Sequence, residues 1–243
     1  AEVTGPLTKE LGFAGFFHEY NYRSEKETIH KKWGKEFLSR LSGHYKSPWF
    51  VMLHIWTLHE PRPVPLKHKS RGNPYARSLS AIDSYISRIL NSLDKNTVVI
   101  VTGDHGEEVE RSRPDYAVRK IWQRSAKMLK KAGVLKTHFT KLARKLPVGH
   151  GFDIKDSLVK VPLIIRAGRR FKGRFDHQVR QIDIMPTILD LAGAGKPGSI
   201  EGSSLVPLMR GRKGADRDAF VEAVGVVFPD ESEWLEGLRT GNR

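Results

Sequence analysis

The chain has 243 residues, of which 39% are hydrophobic, enough to bury one substantial core with room for a small second lobe. It contains no cysteine, which excludes disulfides, zinc–thiolate sites and a cysteine nucleophile within these residues. No apolar run approaches the roughly 20 residues that span a bilayer. The net charge of +15 favours anionic partners. The first ten residues lack the apolar core of a signal peptide, and the cellular location stays open.

Helical and strand-like patterns alternate along the first half of the chain. Residues 24–43 and 74–94 have apolar side chains at helical spacing, and Gly43 is a candidate end of the first helix. Residues 48–56 and 98–101 are continuous apolar runs, which are typical of strands covered on both faces. The repeating positions of the two helical segments are Ile29, Trp33, Phe37 and Leu41, and then Leu79, Ile82, Ile86 and Leu90.

The second half continues this alternation. Residues 161–166 predict a third strand, and residues 177–194 begin extended and become a helix with Pro186 near its first turn. Residues 200–211 have the glycine, serine and proline content of a compact loop. Helices and strands in this order predict an α/β fold with a mostly parallel sheet sandwiched by helices.

Polar side chains follow two of the predicted strands. Asp104 and His105 come directly after the run at 98–101, and His59 comes shortly after the run at 48–56. Ligand sites in parallel α/β sheets lie beyond the carboxyl ends of the strands, so these positions suit a site. An aspartate oxygen and a histidine nitrogen are half of a divalent-metal site. The same Asp-His-Gly sequence is also typical of a turn in which the carboxylate accepts backbone N–H groups.

Five segments of the chain form a recognisable series. In chain order they are LHEPRPVP, TVVIVTGDHGE, GHGFDIKDSLVKVPLII, VRQIDIMPTILDLAGA and IEGSSLVPLMRG, and together they extend over most of residues 45–212. This series resembles the sulfatase family within the alkaline phosphatase superfamily. The resemblance implies an alkaline-phosphatase-like α/β fold and the hydrolysis of sulfate or phosphate esters with a divalent cation.

The resemblance also implies roles for four residues. Asp104 and His105 match the acid and the adjacent Asn or His that bind the cation, with Ca²⁺ favoured over Mg²⁺ or Mn²⁺. His59 matches the histidine of a Pro-His-x-Pro-like loop that reaches the transferred group, although Leu58 replaces the first proline. His150 lies where many sulfatases have a lysine that contacts the sulfate. Imidazoles in these places donate hydrogen bonds to the anion or protonate the leaving oxygen.

One part of the family pattern is missing. The family carries an N-terminal strand with acidic metal ligands, followed by a nucleophile in a Cys- or Ser-x-Pro-x-Arg motif or by a threonine in phosphotransferring members. Neither arrangement occurs here. We therefore expect an internal portion of a longer protein, incomplete at both ends and inactive on its own. The predicted domains are a partial sulfatase-like α/β domain at 1–212 and the start of a C-terminal region at 213–243, where the last residues resemble the beginning of a strand.

Residues 107–147 separate His105 from His150 by more than the family pattern requires. The segment holds twelve Lys or Arg against four acids and has helical spacing, which predicts a basic helical insertion. It could form a lid, contact an anionic polymer or membrane surface through residues 111–145, or be a plain structural insertion. Its aromatic residues are sparse, so sequence-specific nucleic-acid binding is not expected.

Three functions remain open. The chain is a portion of a metal-dependent sulfuric ester hydrolase, a portion of a phosphodiesterase or phosphotransferase of the same superfamily, or an inactive remnant that binds anions. The identity of the nucleophile separates the first two, and stabilisation by a divalent cation separates them from the third. The sequence does not specify the substrate alcohol, the metal or the oligomeric state.

Overall fold

The computed structural model describes residues 12–23, 27–43, 45–59, 73–107, 121, 125, 128, 150–151, 153–168, 171–212, 214, 217–224 and 234–241. The chain divides into two compact units, Ala1–Lys95 and Asn96–Arg243. No helix in the described ranges has the length and the apolar character needed to cross a membrane. Of the predicted basic insertion, residues 121, 125 and 128 are helical, and nearly all of the remainder lies outside the described residues.

Two packed helices make up most of the regular structure in the described residues of the first unit. A 3₁₀ turn at Phe13–Phe16 precedes α1 (Lys32–Leu41) and α2 (Pro74–Ser92). The Asn73 side chain caps α2 by accepting a hydrogen bond from the Ala76 N–H at 2.8 Å. The Tyr85 hydroxyl donates to the Gly34 carbonyl and so joins the two helices. The buried core consists of Ile29, Trp33, Leu38 and Tyr85.

The boundaries and the buried face of these helices differ from the sequence prediction. The helix predicted over residues 24–43 begins only at Lys32. On α2 the predicted apolar position Leu79 is 48% exposed. The buried face of α2 keeps the predicted Ile82 but is otherwise rotated by one residue toward the N-terminus, because Tyr85 packs against α1. The buried residues of this face are Ser78, Ala81, Ile82 and Tyr85.

The strand predicted over residues 48–56 is also corrected. These residues have no regular secondary structure and no strand partner among the described residues. An apolar run becomes a strand only when a neighbouring backbone can complete its hydrogen bonds. Here the run lies against the helical core instead, where Leu53 and Ile55 pack.

Apart from the helical residues 121, 125 and 128, the described part of the second unit contains two pairs of strands and three short helices. β1 (Val99–Thr102) pairs with β2 (Leu163–Arg166), and β3 (Ala219–Ala223) pairs with β4 (Leu235–Arg239). In the first pair Val99 lies opposite Arg166 and Thr102 lies opposite Leu163. The helices are α3 (Asp156–Val159), α4 (Ile184–Ala192) and α5 (Val206–Met209), and a 3₁₀ turn at Gln181–Asp183 leads into α4.

The prediction of an α/β fold is confirmed, whereas parallel pairing is not found among the described strands. Both strand pairs are antiparallel. The connection between β1 and β2 runs from residue 103 to residue 162, which is long enough for either direction. Apolar runs indicate strands but carry no information about strand direction. Here they also overstate burial, because β1 is only partly buried and Ile164 of β2 is 62% exposed. The predicted strands at 98–101 and 161–166 and the predicted helix containing Pro186 are confirmed.

Candidate active site

The turn that follows β1 carries the predicted acid and imidazole. The Thr102 hydroxyl donates to the Pro162 carbonyl at 2.9 Å and closes the end of the β1–β2 pair. Beyond it, the His105 N–H donates to Asp104 Oδ1 at 3.0 Å. The other carboxylate oxygen, Oδ2, lies 3.8 Å from His105 Nε2, and the Asp104 side chain is 67% exposed. The turn therefore holds a carboxylate oxygen and an imidazole nitrogen close together, with the acid largely exposed and the imidazole partly buried.

A backbone contact selects the tautomer of His105. Its Nδ1 lies 2.7 Å from the Gly106 carbonyl oxygen, which can only accept a hydrogen bond. Nδ1 therefore carries the proton in the neutral ring, and Nε2 carries the lone pair. This is the arrangement found in metal-binding histidines, where a second hydrogen bond fixes the orientation of the ring.

The turn is anchored on α3. The Gly106 N–H donates to the Leu158 carbonyl at 2.6 Å. A Cβ atom at position 106 would lie 2.1 Å from the Ser157 carbonyl oxygen, so only glycine fits against this backbone. Leu158 is buried and fixes α3 in turn. The glycine after His105 is thus required by packing.

His150 reaches the same turn from a distant part of the sequence. Its ring stacks on the ring of His105, with 3.7 Å between the centroids and 19° between the planes. The structure therefore brings together Asp104, His105 and His150, three of the four predicted site residues.

The fourth predicted residue, His59, belongs to the first unit. Its ring stacks on the Trp56 ring with 4.2 Å between the centroids. The backbone N–H of His59 donates to the Trp56 carbonyl at 2.9 Å. Most of the LHEPRPVP loop that follows lies outside the described residues. The assignment of His59 to the site stays a prediction.

A buried carboxylate, Asp183, fixes the 3₁₀ turn before α4. Asp183 is fully buried and accepts hydrogen bonds from the Arg180 guanidinium at 3.0 Å and from the backbone N–H groups of Arg180 and Ser203 at 3.0 and 2.9 Å. Burial by itself would raise the pKa of Asp183, but these hydrogen bonds outweigh it and hold the pKa below its usual value. Arg217 approaches the same carboxylate at 3.5 Å.

Sequence reasoning missed Gln181, which contacts the turn directly. Its side-chain Nε2 donates to the carbonyls of Gly103 and Asp104 at 2.7 and 3.3 Å. An exposed glutamine on a short turn leaves no periodic or compositional signal. The surrounding segment VRQIDIMPTILDLAGA resembled the family, but that resemblance did not single out this position.

The donor set for a metal is small within the described part of the chain. No group of three or more His, Asp or Glu side chains there is arranged to hold a metal ion. Asp104 and His105 provide two donors of the kinds that divalent cations accept. Their geometry fits a shared ligand, because one oxygen of the acid faces the nitrogen that carries the lone pair.

Comparison with known protein families identifies the family of this chain. The family model described as Sulfatase matches residues 9–194, which is more than half of the chain. The chain belongs to the sulfatase family.

Individual relatives carry the same family name. The chain is 25% identical over 162 residues to the uncharacterized sulfatase YidJ from Escherichia coli, a match that covers 65% of this chain and 26% of that protein. It is 26% identical over 172 residues to an endo-4-O-sulfatase from Bacteroides thetaiotaomicron, covering 68% and 25%. Among solved structures, a phosphonate monoester hydrolase from Silicibacter pomeroyi matches with 21% identity and a TM-score of 0.48, covering 68% and 30%. The chain spans about a quarter of the length of the two curated relatives.

Proposed function

We propose that this chain is the part of a sulfatase-type hydrolase that binds the divalent cation and contacts the transferred sulfuryl group. The observation that carries the proposal is the turn after β1, where Asp104 Oδ2 lies 3.8 Å from His105 Nε2 and His150 stacks on His105. Family membership makes ester hydrolysis the relevant chemistry. The cation, the substrate and the residue roles belong to the proposal.

Asp104 and His105 would hold the cation, through a carboxylate oxygen and through Nε2. The hydrogen bond between His105 Nδ1 and the Gly106 carbonyl supports this role because it leaves the lone pair on Nε2. We propose Ca²⁺, with Mg²⁺ or Mn²⁺ as alternatives, and further ligands from outside the described residues. When bound, the cation supplies positive charge beside the ester oxygens.

The histidines would act on the anion. A sulfate or phosphate ester builds negative charge on its peripheral and leaving oxygens as it reacts. The stacking of His150 on His105 supports a role for its imidazole as a hydrogen-bond donor to a group held at the turn. His59 is proposed to join this group as a second donor. Either imidazole can also protonate the leaving oxygen.

The proposed substrate class is a sulfate ester. The two curated relatives are named as sulfatases, which supports sulfate over phosphate. The phosphonate monoester hydrolase among the solved structures is compatible with the alternative, a phosphodiesterase or phosphotransferase of the same superfamily. The 243 residues contain neither a cysteine nor a Ser-x-Pro-x-Arg segment to supply the nucleophile. We therefore expect this chain alone to bind the cation and the anion without turning over nitrophenyl sulfate. Cation-dependent turnover by the pure chain would contradict that expectation.

Calorimetric titration of the chain with CaCl₂ tests the proposal. We expect saturable binding, and we expect Asp104→Asn to weaken it by at least about tenfold because the substitution removes the charge of a ligand. The Asn side chain keeps an oxygen that can accept the His105 N–H, so circular dichroism should show an intact fold. Asp176→Asn, which changes an exposed acid of the same unit paired with Arg174, is the control.

Two results would count against the proposal. The first is that neither Ca²⁺ nor Mn²⁺ binds the wild-type chain, or that both bind Asp104→Asn as tightly as Asp176→Asn. Either outcome would show that Asp104 is not a metal ligand. Unfolding of the chain by Asp104→Asn would show that the Asp-His-Gly segment serves as a structural turn.

A further inference from the structure

Gln181 makes a contact that the proposed chemistry leaves unused. Its Nε2 bridges the carbonyls of Gly103 and Asp104, which lie 78 and 77 positions away in the sequence. Both partners can only accept hydrogen bonds, and an amide nitrogen carries two hydrogens, so one group satisfies both carbonyls. The contact exists only in the folded chain.

These carbonyls belong to the turn that presents the proposed metal ligands. The Asp104 carbonyl shares one peptide unit with the His105 N–H, and that N–H donates to Asp104 Oδ1 at 3.0 Å. A peptide unit is planar, so holding its oxygen also fixes the direction of its N–H. Gln181 thereby orients the N–H to which the Asp104 carboxylate is hydrogen-bonded.

The backbone at Gln181 is held in place by neighbouring hydrogen bonds. It begins the 3₁₀ turn whose last residue is the buried Asp183. Asp183 bonds to Arg180 on one side of Gln181 and to the Ser203 N–H from a separate loop. The backbone at Gln181 is therefore tied to two segments of the unit before its side chain reaches the turn after β1.

We infer that Gln181 is a positioning residue, whose side-chain amide holds the Asp104–His105 turn in the orientation that lets both side chains share one ligand. This inference rests on the proposed function. The opposite end of the turn is held by the bond between the Gly106 N–H and the Leu158 carbonyl, so Gln181 supplies the matching constraint at the near end. Hydrogen bonds made directly to ligating side chains change metal affinity by about 10- to 100-fold. Gln181 bonds to the backbone that carries the ligands, so we expect an effect at the lower end of that range.

The test compares Gln181→Leu with Gln178→Leu in the 243-residue chain. Leucine keeps much of the volume and removes both donor hydrogens. Gln178 is the control because its Nε2 also bridges two carbonyls, those of Arg217 and Arg239, at 2.6 and 2.7 Å. Its Oε1 in addition accepts from the Arg239 guanidinium, so its replacement removes at least as many hydrogen bonds. A loss of general stability should therefore appear in both variants.

The first readout is amide hydrogen exchange at His105 without metal. We expect Gln181→Leu to accelerate it roughly fivefold, the change that corresponds to one neutral hydrogen bond. Gln178→Leu should leave it unchanged. Equal exchange in the wild type and Gln181→Leu, or equal acceleration in both variants, would overturn the inference.

The second readout is titration with CaCl₂. We expect Gln181→Leu to raise the Kd about tenfold and Gln178→Leu to leave it within about twofold. Ca²⁺ affinity that Gln181→Leu does not change would overturn the inference while leaving the metal pair in place. A wild-type chain without affinity for Ca²⁺ would instead overturn the metal pair, and the exchange measurement still decides whether Gln181 orients the turn.

Discussion

Gly106 and Gly103 flank the proposed ligands but meet different surroundings. A Cβ atom at position 106 would lie 2.1 Å from the Ser157 carbonyl oxygen, which is backbone and cannot rotate away. At position 103 the nearest atoms would be the His105 carbonyl oxygen at 3.3 Å and Val161 Cγ1 at 3.4 Å, so an added methyl group requires only a shift of a few tenths of an ångström. The close approach of α3 therefore restricts only the glycine after His105.

Gly106→Ala should lower the free energy of unfolding by about 1–3 kcal/mol, because the added methyl group overpacks the contact with α3. It should also weaken Ca²⁺ binding, since the displaced turn carries His105. Urea unfolding and CaCl₂ titration measure the two effects. Gly195→Ala is the control, because its Cβ meets open space and its backbone suits alanine. Equal stability of the two variants would contradict the role of the contact.

The ligand candidates and their supports differ in how far the sequence reveals them. Asp104 and His105 are neighbours at the end of an apolar run, so local sequence is sufficient to propose them. His150 and Gln181 reach the same turn from residues far along the chain. Their contacts depend on the backbone path, so they could not be derived from spacing.

At the level of elements, Asp183 connects α4 to the loop before α5, two segments whose local sequences do not require them to be in contact. Its carboxylate binds the Ser203 N–H of the loop before α5, and its carbonyl accepts from the Thr187 hydroxyl of α4 at 2.6 Å. The same hydroxyl accepts from the Leu205 N–H at 2.9 Å. A Cβ atom at Gly202 would lie 2.2 Å from the Ile182 carbonyl oxygen, so the loop approaches the 3₁₀ turn closely.

The pH dependence of the free energy of unfolding should report the cluster formed by Asp183, Arg180, Arg217 and the Ser203 N–H. Because the pKa of Asp183 is lowered in the folded state, its ionised form contributes stability that is complete above the unfolded value of about 3.9. That contribution is lost as the pH falls through the folded-state pKa. Asp183→Asn should cost roughly 3 kcal/mol at neutral pH, since it leaves arginines without their partner.

Urea unfolding at a series of pH values checks this expectation. The difference in the free energy of unfolding between wild type and Asp183→Asn should shrink below about pH 4. A difference that stays constant across the acidic range would show that the Asp183 carboxylate is not the titrating support of the cluster.

At the scale of the whole molecule, positive charge is the dominant feature of the sequence. Residues 107–147 hold a net charge of +8 out of the total of +15. Such a density attracts polyanions over a Debye length of about 8–10 Å. We propose that this segment contacts an anionic polymer, and the domain division at residue 212 likewise stays a proposal.

Binding to dextran sulfate tests the role of this segment. Replacing four of its lysines by glutamine should weaken binding by on the order of tenfold and should reduce its dependence on salt. The residues are Lys127, Lys130, Lys131 and Lys136. The control removes the same charge from the first unit, at Lys31, Lys32, Lys35 and Lys46. Equal losses in the two variants would show that net charge alone drives binding.

The sequence by itself determined the family, the α/β class, most of the helices and strands, and the acid–imidazole pair after β1. These features depend on residues close together in the chain, where periodicity and motif order carry the information. The tertiary structure decided the antiparallel direction of β1 and β2, the buried stripe of α2, the stacking of His150 on His105 and the contact of Gln181 with the turn. Each of these depends on which distant segments share space, and that is set by packing and backbone hydrogen bonding across the fold.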